Sequence, residues 1–334
     1  MLYIARMLNS ARFFGLVITG LLALVGGLDA VHADKPITTP PPISGRQLSE
    51  PGAITAADVM ARLLLTHQTL EQIRVHMGKP APPKPLIEVS EVKDVEVYFA
   101  ALNLHRRGLR FGFERLRARQ DWDATPSITP SQSDAFLVID GILTVSLQVK
   151  ESLGIEDKLR EQPQNDTVTS TDVFNQILST GALLNLLLEK KTGPEDNFSI
   201  LTVSLTQALR LHSNFTRKLM PDDGPLEQNK TPEDFLVELE ATYAVLRELG
   251  ALVDVSMLTM KRNSSTRVVT ADDVSEVLVL VAAELGRILN ATKLEPIVNG
   301  LWVGGGKFPS HSVQRVKVLR QILLETATAV KQAQ

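Results

Sequence analysis

Thr270–Leu280 reads TADDVSEVLVL, and close variants open three other stretches: TAADVMARLLL from Thr55, TSTDVFNQIL from Thr169 and TPEDFLVELE from Thr231. In each, threonine stands three residues before an aspartate, and an apolar run follows. The threonine oxygen accepts from a free N–H of the first helical turn. The aspartate bonds back to the chain, and its charge complements the positive end of the helix dipole. The phrase is a helix start signal. Looser versions mark Asp94, Asp134 and Asp196, and an eighth start, PSHSVQRVKVL, puts Ser312 where the acid would stand.

The marks at 58, 94, 134, 172, 196, 234, 273 and 312 lie 36, 40, 38, 24, 38, 39 and 39 residues apart. So regular a period is a repeat signature. After Asp58, the residues Val59, Leu63, Leu70, Ile73 and Met77 share one helical face, and GKPAPPKP then stops the helix. One period thus holds a helix of about 20 residues and a connector. The short step from Asp172 to Asp196 shows that a helix and a tight joint, KKTGP, fit in 24 residues. The other connectors are longer than those usual between bundled helices.

The expected fold is all-α: about eight long antiparallel helices from tandem repeats of about 38 residues, in two halves resembling four-helix bundles, 52–191 and 194–334. A right-handed α-solenoid is the alternative. It would need second helices in the connectors, which Pro82, Pro83, Pro85, Pro126, Pro130 and Pro163 oppose and LVDVSMLTMKR and LEPIVNGLWV would allow.

Ahead of the repeats, Arg6 and Arg12 precede an apolar run from Phe13 to Gly27, followed by the small residues Val31 and Ala33. That order predicts a Sec-type signal peptide over 1–33, cleaved after Ala33, and a periplasmic or secreted protein. An uncleaved segment anchored in the inner membrane is the alternative. Residues 34–51 read as a proline-rich tether. No membrane span is expected after cleavage.

Composition excludes several classes. A net charge of −3 with 5% aromatics argues against nucleic acid, and the absence of cysteine removes disulfides, thiolate metal sites and cysteine nucleophiles. NGLWVGGGKFPS (299–310) suggests a phosphate loop, but Leu301 replaces a required glycine and Phe308 the required hydroxyl, which leaves a connector with Trp302 and Val303 docked on the bundle. His67, His76, His105, His212 and His311 lack the spacings of metal-binding helices, and no G-x-S-x-G elbow occurs. No catalytic residue, metal or cofactor is expected.

The second helix, VYFAALNLHRRGLRFGFERLRARQDWD, carries six arginines between Arg106 and Arg119 against one acid, Glu114. Arg106, Arg110 and Arg117 fall on one face beside Phe113. Gly108 and Gly112 point to a close approach by another helix or a ligand. Arginine forks bind anions with paired hydrogen bonds, although cations near a helix C-terminus also serve the dipole and cover apolar surface. Arg106, Arg110, Phe113 and Arg117 are therefore the candidate contact residues. The expected function is an exported, non-enzymatic binding or scaffold module that meets a protein partner or an anionic small molecule or glycan. A periplasmic small-ligand sensor or carrier with a pocket between helices is the alternative.

Overall fold

The computed structural model describes residues 54–118, 130–160, 165–216, 218–263, 267–295 and 305–334. Residues 1–51, where a signal peptide and a tether were expected, lie outside them, as does most of LEPIVNGLWV with its Trp302 and Val303. The described residues form eight long helices: α1 (Ala56–His76), α2 (Asp94–Leu116), α3 (Gln132–Ser152), α4 (Ser170–Leu187), α5 (Pro194–Phe215), α6 (Pro232–Leu252), α7 (Ala271–Ala291) and α8 (Pro309–Ala333). The all-α expectation holds. A small addition not foreseen is an antiparallel ribbon of β1 (Ile87–Ser90) and β2 (Thr259–Arg262), with Ile87 opposite Arg262. β2 stands inside LVDVSMLTMKR, where a second helix had been conceivable.

The helix starts are where the repeated phrase puts them. Thr55, Ser131, Thr169, Thr231 and Thr270 are N-caps that exchange hydrogen bonds with Asp58, Asp134, Asp172, Asp234 and Asp273. Two starts differ from the expected mark. In α2 the acid that returns the bond is Glu96, which accepts from the Lys93 N–H at 2.7 Å, not Asp94. In α8 the Phe308 N–H donates to His311 Nδ1 at 3.1 Å, and Ser312 is buried one position further on.

Helix direction departs from expectation. Asp94, Gln132 and Ser170 are the first residues of α2, α3 and α4, and they bond to one another: Gln132 Nε2 donates to Asp94 at 2.6 Å and to Ser170 at 3.0 Å, and Ser170 donates to Asp94 at 2.9 Å. Three N-termini therefore meet at one end. α1 runs the same way, since Arg62 near its start pairs with Asp140 and Gln72 near its end reaches the Lys158 carbonyl beyond α3. The second set repeats this. Asn197 of α5 bonds to Ala271 at the start of α7, and the Lys230 N–H beside α6 bonds to Ser310 at the start of α8. At the far end, Gln334 reaches the Leu252 carbonyl. Neighbours within each set are parallel. The antiparallel relation lies between the sets, where Glu96 near the start of α2 meets Arg287 near the end of α7.

Connector length explains this. A helix of 21 residues is about 31 Å long. The chain from 77 to 93 can span up to about 55 Å, enough to return to the starting end. The six residues 188–193 between α4 and α5 reach only about 20 Å, so α5 begins where α4 stops and heads back. Four aligned dipoles place four positive ends together, and Asp58, Glu96, Asp134 and Asp172 offset them.

In the first set α1 and α2 each pack on both α3 and α4; in the second, α5 and α6 each pack on both α7 and α8. α2 also packs on α7, joining the sets. The described parts of the connectors hold no second helix. The eight helices belong to one compact unit, 38–334. α7 touches α2, α5 and α6 and is buried on nearly every side, as its almost continuous apolar sequence requires. Gly108 of α2 lets α3 approach: a Cβ there would stand 3.2 Å from Ile142 Cγ2. Gly108→Val is expected to overpack this contact and cost about 1–3 kcal/mol in urea unfolding; a stability equal to wild type would show that the approach is loose.

Candidate functional site

The structure divides the arginines of α2 among different tasks. Arg107 is buried between α2, α4 and α7; it donates to Asn185 at 3.1 Å and faces Glu276 at 4.0 Å. Arg110 pairs with Asp196 at 2.9 Å, which ties α2 to the start of α5. Arg115 donates to the Leu187 carbonyl at 2.9 Å, pairs with Glu189 at 3.1 Å and lies over the Phe111 ring. These three hold the joint between the sets. Of the expected contact residues, Arg110 is therefore committed internally. Phe113 is 53% exposed, and Arg117 is an exposed residue just past the helix, at φ 55°.

Arg106 differs from its neighbours. Among the described residues it makes no ion pair or hydrogen bond, and it lines a small open cleft with Phe99, Leu102, Ser199, Ile200, Val203, Val279 and Ala282. By surface area Arg106 is an exposed residue. Its head nonetheless lies where desolvation pushes the guanidinium pKa down, against a smaller upward pull from Tyr98. The cleft has α2 and α5 as walls and α7 as floor. Neighbouring His105 is buried beneath α2, its pKa lowered to about 4 by burial and by Arg106.

The seam between α2 and α7 carries buried polar contacts at intervals within the apolar core. Glu96 and Glu284, both fully buried, share one cation: Arg287 donates to Glu96 at 2.9 Å and to Glu284 at 2.8 Å. Glu284 also accepts from the Leu258 N–H at 3.0 Å and the Tyr243 hydroxyl at 3.3 Å. Burial, then the neighbouring Glu96 charge, raises the Glu284 pKa to about 7; burial also raises that of Glu96. Further along, Asn103 donates to Ser275 at 3.3 Å. Beyond it, burial lifts Glu276 to about 8 against the pull of Arg107, with Asp273 and Asp272 pushing the same way as burial. Sequence reasoning passed over these acids. Their signal was present: Glu276, Glu284 and Arg287 interrupt the largely apolar stretch from Val274 to Leu289.

Among the described residues no His, Asp or Glu cluster is arranged to hold a metal ion, and no helix is long and apolar enough to cross a membrane. No protein-family model, curated protein or solved structure matches the chain.

Proposed function

We propose that this protein is an exported, non-enzymatic binding module whose ligand carries a negative charge and is held by Arg106 in the cleft between α2, α5 and α7. One observation carries the reading. Arg107, Arg110 and Arg115 all meet acids of this chain, whereas Arg106, on the same helix, lies in a largely apolar cleft with no counter-charge. A guanidinium flanked by apolar side chains and facing no acid gains an ion pair and paired hydrogen bonds from an anion. The cleft offers one cation and one hydroxyl and neither carboxylate nor imidazole, which favours holding a ligand over proton transfer. Export rests on the charged and apolar order of residues 1–33, and tandem duplication on the 38-residue period and the matching helix partners in the two sets.

The test is thermal unfolding of the mature chain against acetate, phosphate, sulfate and single-chain anions. A stabilising anion should raise Tm with concentration, and Arg106→Gln should remove the rise. Phe113→Ser with Arg117→Ala serves as control and should leave it intact. If no anion gives a shift dependent on Arg106, the reading fails. If the control abolishes the shift instead, contact belongs to the exposed end of α2, as a protein partner would require.

A further inference from the structure

The cleft has a direction, which the helix register fixes. α2 runs opposite to α7, since Glu96 meets Arg287 and Arg107 faces Glu276, and α5 runs with α7, since Asn197 bonds to Ala271. α2 and α5 are therefore antiparallel. The Arg110–Asp196 pair closes one end. One turn inward from it stand Arg106 on α2 and Ser199 and Ile200 on α5. One to two further turns along come Leu102 and Phe99 on α2 and Val203 on α5. On the floor, Val279 lies nearer Arg106 and Ala282 nearer Phe99. Both polar lining groups are thus at one end, and the other end is made of Phe99, Leu102, Val203 and Ala282. From Arg106 to Phe99 the path along α2 is about 10 Å.

Resting on the anion reading above, we infer that the ligand is a single-chain amphiphilic carboxylate, its head on Arg106 and its apolar chain lying along the cleft toward Phe99. A carboxylate suits the head because one guanidinium fork matches its two oxygens and its single charge. A doubly charged phosphate would call for a second cation, and among the lining residues Arg106 is the only one. The apolar end gains from each methylene it removes from water, so affinity rises with chain length until the path is filled.

Calorimetric titration of the full chain with acetate, butyrate, octanoate, 1-octanol and octyl phosphate tests this. Octanoate should bind at least about tenfold more tightly than butyrate, acetate or 1-octanol, and more tightly than octyl phosphate. Arg106→Gln should weaken octanoate by about 10–100-fold while melting like wild type, because Arg106 makes no hydrogen bond or ion pair among the described residues. Acetate binding as well as octanoate, with both dependent on Arg106, overturns the amphiphile and leaves the anion reading standing. Octyl phosphate binding more tightly than octanoate overturns the carboxylate. Octanoate and 1-octanol binding alike, unaffected by Arg106→Gln, overturns both readings.

Discussion

Replacing Arg287 by methionine is expected to cost about 3–5 kcal/mol of stability at pH 8 and much less at pH 5. Arg287 is the cation between two carboxylates, Glu96 from α2 and Glu284 from its own helix, both with no solvent exposure. The other groups facing them are the Lys93 and Leu258 N–H groups and the Tyr243 hydroxyl, which are neutral donors. Without the guanidinium, two buried negative charges face each other across the seam. Both acids already have raised pKa values in the fold. Such groups contribute stability that is full below the unfolded value of about 4.5 and is lost as pH rises through the folded value. Removing Arg287 raises the folded values further, so the penalty belongs to high pH, and near pH 5 the pair sits protonated and neutral. Urea unfolding at the two pH values checks this. Equal losses at both would mean that Arg287 acts through packing alone.

Glu276→Gln is expected to do the opposite and stabilise the protein at pH 8 by about 1–3 kcal/mol, with little effect at pH 5. Glu276 is buried, and its pKa stands near 8 in the fold. Between about 4.5 and 8 the unfolded chain releases this proton while the folded chain keeps it, so wild-type stability falls across that window. Glutamine imitates the protonated form and removes the fall. Its gain is limited because Arg107, 4.0 Å away on α2, loses a counter-charge; Arg267 pulls weakly the same way, and Asp272 and Asp273 oppose ionisation. In a chain of this size the change corresponds to a Tm rise of several degrees at pH 8. A lower Tm at pH 8 would show that the ionised pair is worth more than burial costs it. Together the two variants test whether the polar seam is the pH-sensitive joint of the molecule.

Much of the candidate site was legible in part. The arginine density of α2 marked the right helix, and Arg106 is on the cleft. The sequence set Arg107 on another face but could not distinguish Arg106 from Arg110, because one turn along α2 decides which helix each side chain meets. Arg110 faces the start of α5 and Arg107 faces α4 and α7, and both are neutralised there. The acids that neutralise them come from 86 and 169 residues away in the chain, beyond the reach of any local pattern.

The sequence by itself determined the eight helices of the described residues and the starts of all but α2 and α8, because capping and apolar spacing act within one or two turns. Even its connector lengths contain the direction of travel: a return path where about 15 residues intervene, and a reversal at Leu188–Gly193 where only six do. Only the tertiary structure decided that the helices within each set run parallel, that α7 lies at the centre, and that the two sets meet through buried ions set within a shared apolar core. Those outcomes depend on which faces pack together, and packing is settled between residues far apart in the chain. The same assembly left Arg106 without a counter-charge in its cleft.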